Sequence, residues 1–361
     1  VPKEEPGAEF WLMLEFRLAE DRLWADAGHV VAWDQFRVAI PPMPAPRVRL
    51  AEIPKVEIDE TDCAYVIYGS SFQVSLSKKT GIITSFSAND IRLLAGSPVP
   101  NFWRVPIDND IGNGMPERCG VWRYAGRDRL VTSVGWERLS DSAAAVYVEG
   151  RLPAGDSYYS TVYIIYGTGD VVVRNTISVD ETMPEIPRIG MQMEMSHDFS
   201  DVTWYGRGPH ENYWDRKTGA AVGLYRLPVA ALGHPYARPQ ETGNRCDVRW
   251  AAFRRDDGVG LSVIGMPTFD MSAWDCATEE LEAAKHVNEL PRGHVITVNI
   301  DYKQMGVGGD NSWGARTHPE YTLYPKTYVY SFRLRPCGPG LEEPRKWARI
   351  RMPDQCGYTG L

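Results

Sequence analysis

The sequence predicts an all-β fold of large antiparallel sheets packed face to face, and three observations carry that prediction. Alternating apolar and polar runs recur at 65–68, 72–76, 82–86, 143–148, 158–166, 171–179, 189–195, 248–253, 261–264, 295–300 and 328–334. Period 2 is the signature of strands with one buried face. Glycine-closed turns separate runs, as at Lys79-Thr80-Gly81 and Asp256-Asp257-Gly258, because glycine reaches positive φ without steric cost. Only 278–286 reads as a helix, so neither a βαβ rhythm nor a (β/α)8 barrel fits. No repeated blade signature favours a propeller.

In chain order, two strand-like runs at 10–16 and 30–38, rich in aromatic and β-branched residues, look like the last hairpin of an immunoglobulin-like β-sandwich. A hairpin alone is marginal in water, so its partners are expected upstream. Four prolines among residues 41–46 cannot donate ladder hydrogen bonds and mark a linker. The expected organisation is therefore an immunoglobulin-like remnant at 1–40, a Pro-rich linker at 41–55, a large β domain at 56–337 and a tail of unknown role at 338–361. Three aromatic-rich segments, 101–114, 204–216 and 306–313, are expected as loops on the rim of a shallow concave sheet.

Composition narrows the function classes. The 361 residues are 43% hydrophobic and carry a formal net charge of -8, with no cluster of Lys or Arg, so nucleic acid is not an expected partner. No apolar run approaches the roughly 20 residues that span a bilayer, and residues 1–7 are not signal-like. A soluble protein is expected, cytoplasmic rather than periplasmic, with no membrane partner. The start at Val1 reads as a piece of a longer chain. Cysteines at 63, 119, 246, 276, 337 and 356 form no CxxC pair, which points to buried free thiols. No HExxH or paired CxxC spacing supports a metal site in this segment.

Chemistry-bearing residues concentrate in the loops. Phe102-Trp103-Arg104 leads through Pro106 to Asp108, Asn109 and Asp110. These Asx side chains either bond their own backbone or anchor a hydroxyl-rich ligand. Arg207, His210 and Glu211 crowd one glycine- and proline-containing stretch, where a buried Arg–Glu pair that pins loops is the leading reading over an acid and base. Arg238 and Glu241 repeat that pattern around Pro239. Gly306, Gly308 and Gly309 precede Asp310, Asn311 and Trp313. No strand–GxxxxGK–helix context makes this a phosphate loop, whereas an indole on a glycine-rich turn suits stacking on the apolar face of a sugar.

Together, FWRxPxDNDIG at 102–112, GRGPxENYxDR at 206–216, RPQExGNR at 238–245 and MGxGGDxSW at 305–313 make the chain resemble the C-terminal domain of bacterial β-galactosidases of glycoside hydrolase family 2. Residues 27–38 resemble the end of the domain that precedes it, and the likeness runs from about residue 8 to 336. The resemblance implies a galactose mutarotase-like super-sandwich, a homo-oligomeric complete enzyme and an upstream catalytic barrel as partner. It also implies that Trp313 reaches the galactoside, and that the catalytic glutamates and magnesium ligands lie in the barrel. Retaining hydrolysis needs two carboxyl groups about 5 Å apart, and no residue of this segment is expected to be catalytic. The alternatives are a natural small subunit, a stand-alone carbohydrate-binding module, or a mutarotase-like epimerase using His210 and Glu211.

Overall fold

Alternation becomes strand pairing throughout the computed structural model, which describes residues 5–38, 44–311, 313–339 and 343–353. Pro41 to Met43 of the expected linker, Ser312 of the glycine-rich motif, and residues 340–342 and 354–361 of the expected tail, including Cys356, lie outside the described residues. The chain divides into two compact units, Val1–Arg49 with Arg345–Leu361, and Leu50–Pro344.

In the first unit, β1 (Phe10–Arg17) and β2 (Val30–Val38) form an antiparallel ribbon with Leu12 opposite Phe36 and Glu15 opposite Trp33. Successive side chains alternate between faces, so Leu12, Leu14, Phe16 and Phe36 are exposed on one side and Met13 and Trp33 on the other. The last described residues, for which the sequence offered no motif, join this unit. Val48 N–H donates to the Arg351 carbonyl at 3.1 Å, and Arg351 N–H to that of Pro46 at 2.8 Å.

In the second unit, β3 (Glu57–Glu60), β4 (Ala64–Tyr68), β5 (Phe72–Ser77), β6 (Ile83–Ala88) and β7 (Ile91–Arg92) form a five-stranded sheet in sequence order. A twelve-stranded antiparallel sheet holds β8 (Gly96–Asn101), β9 (Leu130–Ser140), β10 (Ala143–Leu152), β11 (Ser157–Tyr166), β12 (Val171–Ser178) and β13 (Arg188–Met195). It continues with β14 (Asp201–Gly208), β15 (Ala221–Pro228), β16 (Arg245–Arg254), β17 (Gly260–Trp274), β18 (Ile296–Gln304) and β19 (Thr327–Cys337). The order is β15-β14-β16-β17-β19-β12-β11-β10-β9, with β18, β13 and β8 branching from β17.

The all-β antiparallel class is as the sequence predicts, and each run read in the large domain falls on a strand, although 261–264 is only the first part of β17. The larger sheet is continuous because β17, 15 residues long, pairs with β16 on one edge and divides the other between two partners. Residues 260–265 pair with β19 and residues 270–274 with β18. The change falls at Met266, Pro267 and Thr268, which are not buried, where proline has no N–H for a ladder.

Some expectations need correction. The segment 204–216 is not wholly loop, because Asp201–Gly208 is β14, flanked by β15 and β16. Segment 101–114 contains α1 (Asp108–Gly112) and leads into α2 (Met115–Arg118). The expected helix at 278–286 is the shorter α3 (Thr278–Ala283), ended by the extended backbone of Ala284. Cys63 is exposed rather than buried, while Cys119, Cys246, Cys276 and Cys337 are buried free thiols. Among the described residues, no helix is long and apolar enough to cross a membrane.

One apolar face unites the two sheets. Ile67, Val74 and Phe86 share a buried cluster with Val146, Val173, Met191, Val263, Ile300 and Phe332, and each such side chain contributes about 1.5–3 kcal/mol. The opposite face of β13, β17 and β18 is polar. Gln192 donates to Asn299 Oδ1 at 2.8 Å, and Asn299 donates to Ser272 Oγ at 3.0 Å. This polar face is the floor on which the motif-bearing loops assemble.

Candidate functional site

The four sequence motifs meet in one hydrogen-bonded frame. Arg104, fully buried, donates in two bonds to Asp110, Nε to Oδ2 at 2.9 Å and Nη2 to Oδ1 at 2.7 Å. The same guanidinium donates to the carbonyls of Met305 and Gly306, so a single planar fork fastens α1 to the glycine-rich loop. Asn109 Nδ2 donates to the Val307 carbonyl at 3.0 Å. From the second motif, Asp215 Oδ2 accepts the N–H groups of Val307 and Gly308 at 2.9 and 2.8 Å. A Cβ on Gly306 would stand 2.9 Å from that carboxyl, which is why glycine is needed at this position.

Glu211 ties the second motif to the third. It accepts the N–H of Gly243 at 2.8 Å, the hydroxyl of Thr242 at 3.1 Å, Arg216 Nη2 at 2.9 Å and the hydroxyl of Tyr236. Burial raises its pKa, but the hydrogen bonds from Tyr236, Gly243 and Arg216 outweigh burial and hold the carboxyl below its ordinary range. A carboxylate so satisfied is a loop fastener, not an acid. His210 beside it is exposed. Asp108, mostly exposed, receives Arg238 Nε at 2.8 Å and Gln240 Nε2 at 3.1 Å.

The expected Arg207–Glu211 pair is not formed. Arg207 lies on β14 and donates to Asp247 Oδ2 at 2.6 Å, with Lys217 on the same carboxylate at 3.0 Å, whereas Glu211 takes Arg216. Residues 207 and 211 are parted because β14 ends at Gly208 and Glu211 follows in the loop. Double-mutant cycles by urea unfolding are expected to give about 0.5–1 kcal/mol of coupling between Arg207 and Asp247, both about a quarter exposed. Arg207 and Glu211 should couple by less than about 0.3 kcal/mol. The reverse ranking would refute the assignment.

Beneath the loops lies a buried charge network that sequence reasoning only touched at Glu241. Arg188 Nη2 meets Glu241 Oε1 at 2.5 Å and Arg188 Nε meets Asp301 Oδ2 at 3.1 Å, all three groups fully buried. Gln304 Nε2 donates to Glu241 Oε1 and to Asn244 Oδ1, each at 3.1 Å. Burial raises the pKa of Glu241, and it raises Asp301 to about 8 and its cross-strand neighbour Asp270 to about 6. Arg188, Asp270 and Asp301 were missed because they lie inside strands, where nothing but burial marks them. Asp215 stood in a quoted motif without a role.

Trp313 is set apart from this frame. It is 89% exposed, and its N–H donates to Asn311 Oδ1 at 2.9 Å. The same oxygen accepts the Ala315 N–H at 3.3 Å. Asp310 Oδ1 lies 2.7 Å from His318 Nε2, closing the base of the loop. Asp310 and Asn311 thus shape the loop that projects the indole. The structure brings Arg104, Asn109, Asp110, Glu211 and Glu241 into the frame, leaves Asp108 and Arg238 at its outer side, and places Arg207 on the neighbouring strand. Among the described residues no group of three His, Cys, Asp or Glu could hold a metal ion.

The sequence matches the family described as beta galactosidase small chain over residues 68–334, and the one described as beta-galactosidase, domain 4, over residues 1–39. It is 42% identical over 336 residues to a beta-galactosidase of Priestia megaterium, covering 92% of this chain and 32% of that protein. A beta-galactosidase of Pseudoalteromonas haloplanktis is 31% identical, with 91% of this chain and 32% of that protein covered. The chain spans about a third of the length of these curated relatives. Solved structures that align with it include a putative aldose 1-epimerase from Escherichia coli, with a TM-score of 0.43 and 13% identity over 76% of this chain and 98% of that one. A galactose mutarotase-like protein from Lactobacillus casei aligns at a TM-score of 0.40 and 11% identity over 78% and 99%. At this distance neither carries an argument about chemistry.

Proposed function

We propose that this chain, which belongs to the β-galactosidase small chain family, is the non-catalytic C-terminal part of a retaining β-galactosidase of glycoside hydrolase family 2. It binds carbohydrate in the service of hydrolysing lactose and related β-galactosides. One observation carries the reading most directly: an 89% exposed indole on a loop whose base is fixed from four directions. An indole 89% exposed adds little to the core, and presented on a fixed loop it suits stacking against the apolar face of a sugar ring. Trp313 then completes a galactoside site whose carboxylates and magnesium belong to an upstream catalytic barrel, in a homo-oligomer of the complete enzyme. The ribbon β1–β2, apolar and exposed on both faces, would be the closing hairpin of an immunoglobulin-like domain begun upstream. The described cysteines, all free thiols, fit a cytoplasmic enzyme.

In the complete enzyme, Trp313→Ala is expected to raise KM for a chromogenic β-galactoside about threefold to tenfold, the loss of one stacking face. Stability should stay within about 0.5 kcal/mol, because the side chain packs against little. Unchanged sugar kinetics with a large drop in melting temperature would overturn the role. The isolated chain should not hydrolyse the substrate. Hydrolysis by the isolated chain would overturn the non-catalytic reading, and the carboxyls to test first would then be Asp108, Asp110 and Glu211, which the motif loops carry; Asp301 is ion-paired to Arg188 with no side-chain exposure.

A further inference from the structure

We propose that His318 is a positioning residue: its protonated ring holds the loop that carries Trp313 in the form that meets a sugar, an inference that rests on the role given to Trp313 above. Up to Gly308 the glycine-rich segment is fastened to the unit by Arg104, Asn109 and Asp215. Beyond it, among the described residues, the side-chain tie that leaves the loop runs from Asp310 to His318, Oδ1 to Nε2 at 2.7 Å. Asn311 bonds within the loop, to the N–H groups of Trp313 and Ala315. His318 is the fixed end of the tie. Its carbonyl accepts the N–H of Tyr321 at 2.9 Å and the hydroxyl of Thr322 at 3.0 Å, and that hydroxyl lies 3.0 Å from the one of Thr317. Asp310, its side chain 83% exposed, is the loop end, three residues from the indole.

Two carboxylates make the tie depend on charge. His318 Nδ1 lies 3.8 Å from Glu320 Oε1, in the turn Pro319–Tyr321, so each ring nitrogen faces an acid. A neutral imidazole donates from one nitrogen and turns a lone pair to the other carboxylate, whereas the imidazolium donates from both. Arg316, two residues away, is directed to Glu185 at 3.9 Å, and the charges that act on the ring are those of Asp310 and Glu320. The hydrogen bond to Asp310 and then the two carboxylate charges raise the His318 pKa above its ordinary value of 6.5. A raised pKa means that the bridge is complete below 6.5 and is lost as pH rises through the higher folded-state value. Trp313 is therefore held at low pH and released at high pH, with no change at the reacting atoms. All three side chains are more than half exposed, so water screens the bridge and the effect is modest.

The test compares complete enzymes on a chromogenic β-galactoside between about pH 6 and pH 9. Relative to wild type, His318→Ala should raise KM about twofold to fivefold at the low end and leave it unchanged at the high end, with the kcat ratio flat throughout. His318→Lys, a cation across this range, should lower KM about twofold to fivefold at the high end, where the imidazole has lost its charge. In the Trp313→Ala background, His318→Ala should add nothing. In the chain alone, the Trp313 indole N–H resonance, assigned by its loss in Trp313→Ala, should shift with the midpoint at which the His318 ring titrates, and Asp310→Asn should lower that midpoint. A KM ratio independent of pH, a kcat that changes in step with KM, or an indole resonance that ignores the His318 titration would each overturn the inference. An unchanged KM in Trp313→Ala would overturn the sugar role and this inference with it, whereas a raised KM there beside a flat His318 ratio would overturn this inference alone.

Discussion

Replacing Arg104 with methionine is expected to destabilise the second unit by about 3–5 kcal/mol, the cost of removing one partner from a buried ion pair. Methionine fills much of the same volume, so the loss reports the polar bonds rather than a cavity. What remains is Asp110, 2% exposed, with its carboxylate uncompensated, and the carbonyls of Met305 and Gly306 short of a donor. Arg104→Lys should recover little, since an ammonium cannot span two carboxylate oxygens and two carbonyls in one plane. Melting temperature is the readout, with a fall of roughly 10 °C expected for a unit of this size. A fall of under about 2 °C would show that the frame does not depend on this fork.

Asp301→Asn tests the charge network through its pH dependence. Burial lifts the Asp301 pKa from the ordinary carboxylate value of 3.8 to about 8. Between those values the folded chain holds a proton that the unfolded chain has released, so the group's contribution to stability falls as pH rises and levels off above about 8. Asparagine is neutral throughout and removes that slope. Wild type should therefore lose roughly 1–3 kcal/mol more than the variant between pH 5 and pH 8, with the two similar near pH 5. Glu241, also raised by burial, shares Arg188 with Asp301, so the difference between the two profiles reports the coupled pair of carboxyls. Parallel stability profiles would show that Arg188 keeps Asp301 ionised across this range.

These two residues also mark how much the sequence disclosed. Arg104 and Asp110 were visible because they sit in a dense motif, but their partners, the carbonyls of Met305 and Gly306, are backbone groups some 200 positions away. No local pattern shows which carbonyl a guanidinium reaches. The strands most easily read were those with one apolar face against the core, such as β5 and β6. β8 was hidden by Pro98 and Pro100, which are tolerated because this strand pairs on one side only, with β13. β9 was hidden because, at the end of the sheet's pairing order, its alternation is blurred by exposure. Arg207 was assigned the wrong carboxylate for a related reason. Proximity in sequence suggested Glu211, while the pairing of β14 with β16 runs antiparallel and brings Asp247 within reach. Trp313 was legible because its surroundings of glycine, Asp and Asn leave an indole nothing apolar to bury against.

The partner change along β17 bears on how this unit comes apart. Because one uninterrupted strand is laced to β16 at both ends, to β19 at the first and to β18 at the second, neither region of the large sheet can release its backbone amides to solvent without disturbing the strand they share. Amides of β17 on either side of Pro267 should therefore exchange their hydrogens only through opening of the whole sheet, at similar and slow rates. The ribbon of β1 and β2, joined by one ladder only, has no such tie and should exchange quickly.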